Sequence, residues 1–334
     1  MDIPNPAIVF DMLMAYQRTA ALRTAVELDV FRAIGEGPGD AASIAKQCAI
    51  SERGARILCD FLTINGILLK EGAHYKHTAT SATFLDPRSP VSIASTARFL
   101  GDPALVEPFN HLAEIVRSGH TSLEGEGTVE PDNPVWVSFA ESMAPLAALT
   151  APGLAAAALG DKTGPVSVLD IAAGHGLYGI AVAKANPGAR IVGADWEKVL
   201  AVAERNAQKA GVADRFSQLA GSAFDVEFGG PYDIVLLTNF LHHFDVPTCV
   251  SLLKKVRAAM KPGGRAATLE FVPNDDRITP PMAAAFAMTM LGTTGSGDAY
   301  TFAELKQMYE AAGFHDVALH PIAMSPQTAV VGIA

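Results

Sequence analysis

The sequence predicts a two-part α/β chain. A helical region carrying a winged helix comes first, followed by a mostly parallel seven-stranded sheet that ends in an antiparallel hairpin. Three observations predict this. Apolar residues recur at helical spacing in the first part of the chain. From residue 164 onward, short apolar and partly β-branched runs alternate with helix-length segments. The last two such runs follow one another with no helix between them. The 334 residues allow one large domain or two ordinary ones, and 49% apolar against 18% charged residues implies a substantial core.

Residues 6–34 place Ile8, Val9, Met12, Leu13, Leu22, Val26, Leu28, Val30 and Phe31 at helical spacing, and "GEGPGD" at 35–40 breaks the run. A short helix is expected after Asp40 and a second after Ser51, a residue suited to an N-cap. The strand-like "ILLKE" and "HYKHT" then pair around Gly72. Two helices, a turn and a β-wing make a winged helix. Between 40 and 86, Lys46, Arg53, Arg56, Lys70 and Lys76 stand against Asp40, Glu52, Asp60, Glu71 and Asp86. That balance gives no basic stripe, so a structural or dimerising module is expected rather than a DNA reader. The net charge of −10 likewise disfavours nucleic acid and anionic membranes.

Cys48, Cys59 and Cys249 are too few and too scattered for a disulfide frame or a zinc cluster, which fits a reducing cytoplasm. The start, "MDIPNPAIVFDML", has no basic stretch followed by an apolar run, so no signal peptide is expected. The uncharged stretches 142–160, with Pro145 and Pro152, and 278–297 are read as buried helices rather than membrane spans. The expected division is a helical winged-helix domain over 1–100 and a sheet domain over 101–334, with 101–160 as bridging helices.

The strand candidates are "PVSVLDIA", "ARIVGAD", "RFSQLAG", "YDIVLLTN", "RAATLEFV", "HDVALHPI" and "QTAVVGIA". The first runs into Gly174-His175-Gly176-Leu177-Tyr178-Gly179, a literal G-x-G-x-x-G. Such a turn lets backbone approach an adenosine-containing cofactor at the carboxyl end of a strand. Asp195 ends the second strand, 19 residues beyond Gly176, where a carboxylate accepts both ribose hydroxyls. Neither feature separates a nicotinamide dinucleotide from other adenosine cofactors.

Asp170, four residues before Gly174, does separate them. Beside a pyrophosphate its charge is repulsive; beside a cation it is favourable. S-adenosyl-L-methionine has a sulfonium, an ammonium and no phosphate, and fits. Gly179 is then a helix-packing glycine. The competing reading is a glycine turn without a ligand, in which Asp170 caps the helix.

The winged-helix start together with "LDIAAGHG", "GADW", "GSAFD", "NFLHHFD", "MKPGGRAATLE" and "AAGF" resembles the two-domain, S-adenosylmethionine-dependent O-methyltransferases of the hydroxyindole, caffeate and polyketide-tailoring type. The resemblance covers nearly the whole chain. It implies a Rossmann-like methyltransferase domain preceded by an α-helical winged-helix dimerisation domain, and a homodimer formed through that domain. It also makes His242, in Leu241-His242-His243-Phe244, the general base, and Glu270, 28 residues later, the carboxylate that orients it. The residues alone leave His242 open between base and strand cap, and Glu270 between orienter and solvent-facing carboxylate.

Cofactor contacts are expected from Asp170, Gly174, Gly176, Asp195, Trp196, Ser222, Ala223, Phe224 and Asn239. Here Gly221-Ser222 replaces the Gly-Asp common in the family, and Ala299, beside Asp298, stands where plant members carry a second acid. Substrate contacts are expected from Phe139 and Met143 in "WVSFAESM", and from Phe240, His243, Met282 and Met288, with Phe286 and Met290 on the same helix. His242, His243 and Asp245 do not converge easily as ligands, so no metal is expected. The implied reaction is O-methylation of a small, largely apolar, hydroxylated aromatic or polyketide-like molecule. The alternatives are C- or N-methylation on the same fold, a cofactor-sensing winged-helix regulator without transfer activity, or a non-methylating use of the cofactor; a nicotinamide oxidoreductase is opposed by Asp170.

Overall fold

The structure is a computed structural model and describes residues 4–323 and 325–334. The chain forms two compact units that divide between Gly101 and Asp102.

In the first unit the helices Ala7–Leu13, Ala15–Glu27 and Val30–Glu36 precede the break at 37–40. The two helices of the winged helix start where their caps lie. The Asp40 carboxylate accepts the Ser43 N–H ahead of Ala41–Cys48, and the Ser51 hydroxyl accepts the Gly54 N–H ahead of Glu52–Ile64. Strands β1 (Leu68–Glu71) and β2 (His74–His77) pair antiparallel around Gly72 as the wing. Their apolar faces close on Phe31, Ile44, Cys59, Leu62, Leu68 and Tyr75. The Tyr75 hydroxyl leaves this core to donate to Asp60 at 2.8 Å. Ala7–Leu13 differs from the rest: it buries none of its residues, and Ile8, Val9, Phe10, Met12 and Leu13 are 56–75% exposed.

The second unit is built on strands β3 (Ser167–Ile171), β4 (Arg190–Asp195), β5 (Phe216–Ala220), β6 (Tyr232–Thr238), β7 (Met260–Glu270), β8 (His315–Pro321) and β9 (Thr328–Ile333). Their order is β5-β4-β3-β6-β7-β9-β8, parallel from β5 to β7, with β9 antiparallel to both neighbours. All seven expected strands are present. Both faces of the sheet are covered, and the side chains divide between them with period two. Leu169, Ile171, Val235, Leu237 and Ala266 enter one core with Leu253, Leu305 and Tyr309. Val168, Ile234, Leu236, Ala267 and Leu269 enter the other with Ile180 and Ile191.

The helix Val135–Leu159 is long and apolar enough to cross a membrane by length and composition. Instead Ala151, Leu154, Ala155, Ala158 and Leu159 pack into the second core, despite Pro145 and Pro152 within the helix. Pro281–Thr293 buries Ala283, Met290, Gly292 and Thr293.

Parallel strands deliver their carboxyl ends to one edge of the sheet, where ligands of open α/β sheets bind. There the loops after β3, β4, β6 and β7 meet.

Candidate active site

After β3 the chain turns through Ala172, Gly174 and Gly176, all with positive φ, and Gly176 caps the helix Leu177–Ala185. Gly176 lies against Ala203, where a Cβ would come within 2.9 Å of the alanine Cβ. At Gly179 a Cβ would come within 2.8 Å of both Asp170 Oδ2 and Ile191 Cγ2. The third glycine of the motif therefore serves helix–strand packing.

Asp170 is fully buried at the end of β3. Its Oδ2 accepts the Gly179 N–H at 3.0 Å, so the carboxylate does hold the helix. Its Oδ1 is buried with no hydrogen-bond partner among the described residues. Burial pushes the carboxyl up to about 8, opposed by the Gly179 N–H and reinforced by Asp195. Asp195 accepts the Gly174 N–H at 2.8 Å on one oxygen and the Trp196 N–H at 2.7 Å on the other. Burial pushes it to about 6 against those two donors. A carboxylate accepts about four hydrogen bonds, so Asp195 retains capacity for ribose hydroxyls. Two crowded acids, one with an orphaned buried oxygen, fit a cationic ligand and do not fit a pyrophosphate. These residues suit S-adenosyl-L-methionine.

His175 in the turn is buried, and its Nδ1 accepts the Leu177 N–H at 3.2 Å. Its ring stacks on Phe139 at 5.9 Å, and burial pulls its pKa down to about 4. Phe139 also covers the glycine turn: a Cβ on Gly174 would lie 3.3 Å from its ring.

β6 and β7 run parallel and in register, with Thr238 opposite Leu269, so the chain following β6 lies beside Glu270. Glu270 Oε1 accepts the N–H groups of Phe240 at 3.2 Å and Leu241 at 3.0 Å. Its Oε2 hydrogen-bonds His242 Nδ1. Thr268 Oγ1 lies 3.2 Å from Oε1. Glu270 is thus a buried carboxylate fully engaged with the 240–242 turn, not a solvent-facing strand end. The His242 ring meets Phe286 edge-on at 4.8 Å and the His243 ring at 4.3 Å.

His243 is buried, with Trp136 at 5.2 Å. Its Nδ1 has no hydrogen-bond partner among the described residues, and burial with the neighbouring His242 holds its pKa well below the usual histidine range. Asp245 instead caps Val246–Ala258 through the Thr248 N–H. Among the described residues no group of three or more His, Cys, Asp or Glu is placed to hold a metal.

The other expected contacts divide. Asn239, with φ +54°, hydrogen-bonds Gln327 through its Oδ1. Ser222 Oγ accepts the Phe224 N–H at 3.2 Å, while the carbonyls of Ala223 and Phe224 accept from Lys255 Nζ. Phe224, Phe240 and Phe244 form an aromatic trio, with Phe244 5.0 Å and 5.1 Å from the other two rings. Trp196 packs against Ala140, Val199 and Val202 and is part of that core patch. Met143 is half-buried.

Met282 and Met288 are 69% and 47% exposed. Helical spacing places Ala283, Phe286 and Met290 on the packed face, and it is Phe286 that reaches His242, stacking also on Phe271 at 4.1 Å. The Asp298 carboxylate pairs with Arg277 at 3.3 Å, and its backbone N–H donates to the His242 carbonyl at 3.0 Å. Trp136 and Gln327 were not singled out from the sequence. Trp136 sits at the head of the quoted "WVSFAESM", whereas no local signal marks Gln327.

The O-methyltransferase dimerisation domain profile matches residues 10–87, and the O-methyltransferase domain profile matches residues 110–315. The chain is 28% identical over 323 residues to a 3-hydroxy-5-methyl-1-naphthoate 3-O-methyltransferase of Streptomyces sahachiroi, covering 93% of this chain and 90% of that one. A crystal structure of a proposed O-methyltransferase from Nostoc punctiforme superposes with a TM-score of 0.95 at 48% identity, over 99% of this chain and 100% of that one. Human N-acetylserotonin methyltransferase in complex with S-adenosyl-L-methionine superposes with a TM-score of 0.87 at 22% identity, over 99% and 98% of the two chains. The expected relationship holds along nearly the full length: the chain belongs to the O-methyltransferase family and is an S-adenosyl-L-methionine-dependent O-methyltransferase.

Proposed function

We propose that His242 is the general base of the methyl transfer, that Glu270 orients it, and that the acceptor is the hydroxyl of a small, flat, largely apolar aromatic or polyketide-like molecule. The observation that carries this reading is the grip of Glu270 on the base. One oxygen fixes the turn through the Phe240 and Leu241 N–H groups, and the other accepts a hydrogen bond from His242 Nδ1. Nε2 is then the basic nitrogen. It removes the proton of the acceptor hydroxyl, and the carboxylate stabilises the imidazolium that results.

Asp170, Asp195 and the glycine turn would hold the cofactor, which when bound supplies a methyl group already activated by a sulfonium. What remains for the protein is alignment, deprotonation and exclusion of water. Phe286 at the base, Phe139 over the glycine turn and Trp136 beside His243 provide flat apolar walls. The naphthoate specificity of the Streptomyces relative supports an acceptor of this kind.

The test is methyl transfer from labelled cofactor to 3-hydroxy-1-naphthoate and a panel of phenols. His242→Ala and Glu270→Gln are expected to lose about 10²- to 10⁴-fold in turnover while retaining S-adenosylhomocysteine binding by calorimetry. Near-normal turnover by His242→Ala on any accepted hydroxyl compound removes the base assignment.

We also propose that the chain works as a homodimer in the cytoplasm, without nucleic acid or membrane as partner. The uncovered apolar helix Ala7–Leu13 in a region matching a dimerisation domain supports the dimer. The acidic charge and the three unpaired cysteines support the rest. Val9→Asp with Leu13→Asp is expected to shift the mass measured by light scattering from two chains to one. A monomeric wild-type protein would overturn the dimer.

A further inference from the structure

Glu270 holds the 240–242 turn from the sheet. A second set of contacts reaches the same turn from the segment Thr294–Asp298. The Asp298 N–H donates to the His242 carbonyl at 3.0 Å. Next to it, a Cβ on Gly297 would lie 2.3 Å from that carbonyl oxygen, 2.7 Å from Thr294 Oγ1 and 3.0 Å from the His243 carbonyl carbon. The requirement for glycine is therefore one of space. The Gly297 N–H donates to Thr294 Oγ1 at 3.0 Å, and the Thr294 hydroxyl donates to the Met290 carbonyl at 2.7 Å, tying the segment to the end of Pro281–Thr293.

The far side of this strap is fixed as well. The Thr121 hydroxyl donates to the Gly292 carbonyl at 2.6 Å. Thr128 approaches the Thr293 carbonyl with its N–H at 2.9 Å and its hydroxyl at 3.1 Å. The Thr128 carbonyl in turn accepts the Trp136 indole N–H at 2.9 Å. A strap pinned at this end cannot retreat to make room for a side chain at 297. The displacement would fall on His242.

We infer that Gly297 and Asp298 are positioning residues for the base: the strap fixes the His242 main chain while Glu270 fixes its ring, and the absence of a side chain at 297 lets both hold at once. The inference rests on the reading of His242 and Glu270 given above. Asp298 acts through its backbone, because its carboxylate is engaged with the Ala299 N–H and with Arg277.

The test needs no known acceptor. In the proton spectrum of the protein with S-adenosylhomocysteine, the His242 Nδ1 proton, hydrogen-bonded to Glu270, should appear far downfield and vanish in His242→Gln. Gly297→Ala should bind S-adenosylhomocysteine with wild-type affinity, yet lose this resonance or shift it upfield. Asp298→Asn, which keeps the backbone donor, should leave it in place. An unchanged resonance in a folded Gly297→Ala protein overturns the inference. If Gly297→Ala does not fold, Thr294→Val, which removes the acceptor for the Gly297 N–H, carries the same comparison with the same two outcomes. A wild-type complex lacking the downfield proton instead refutes the His242–Glu270 pairing, and the positioning role falls with it.

Discussion

Asp170→Asn separates a structural carboxylate from one poised for a cation. In the ligand-free chain the Asp170 carboxyl stands at about 8 instead of 3.8, because burial outweighs the single Gly179 N–H that it accepts. A raised carboxyl favours the protonated folded state. Stability is therefore fully present at acid pH, falls as pH rises from about 4, and stops falling above the folded value of about 8. At pH 7 the penalty is on the order of 4 kcal/mol, from 1.36 kcal/mol for each unit between the unfolded value and the solution pH. Asparagine keeps the shape and cannot ionise. The ligand-free Asp170→Asn protein is expected to lose this slope and to be the more stable of the two at pH 8, in urea unfolding followed by circular dichroism.

Cofactor binding should act in the opposite direction. A cation placed against the orphaned Oδ1 favours the ionised carboxylate, so the bound proton is released. With a carboxyl at about 8, roughly nine-tenths of a proton is available at pH 7, and the release vanishes above about pH 9. Calorimetry of S-adenosyl-L-methionine binding in phosphate and in Tris reads this number directly, since the two buffers differ in ionisation enthalpy. Asp170→Asn should bind more weakly and with heats independent of buffer. Buffer-independent heats for the wild-type protein at pH 7 would show that Asp170 is a helix cap and nothing more.

Other perturbations test the frame around the site. Gly179→Ala places a Cβ 2.8 Å from Asp170 Oδ2 and Ile191 Cγ2, and is expected to cost about 1–3 kcal/mol of stability and weaken cofactor binding; unchanged melting and affinity would refute the packing role of this glycine. His175 is held neutral by burial, with its pKa lowered from 6.5 to about 4. Its contribution is therefore present above pH 6.5 and is lost as pH falls through 4, a change of about 3 kcal/mol. His175→Asn should flatten that part of the urea-unfolding profile, and an identical profile would contradict it.

What the sequence discloses here depends on how local each relation is. The caps at Asp40 and Ser51 act within three residues, and the helices begin where those residues stand. Glu270 and His242 are 28 residues apart, yet their meeting is nearly local in the folded sense. Each follows or ends one of two neighbouring parallel strands, so strand register alone brings them together. The phase of Pro281–Thr293 is not encoded locally, because a helix apolar on every side offers no polar face to orient it; packing places the Phe286 ring 4.8 Å from that of His242. Gln327 reaches Asn239 only because β9 inserts antiparallel beside β7, with Thr328 opposite Glu270. Gly297 is one of 29 glycines, and nothing in its neighbours marks it. Its importance is a matter of distance to a carbonyl more than fifty residues earlier in the chain. Motifs therefore locate the candidate groups, Asp170, Asp195, His242 and Glu270 with the glycine turn, whereas the segments packed around them are set by strand order and backbone clearance, which no short pattern encodes.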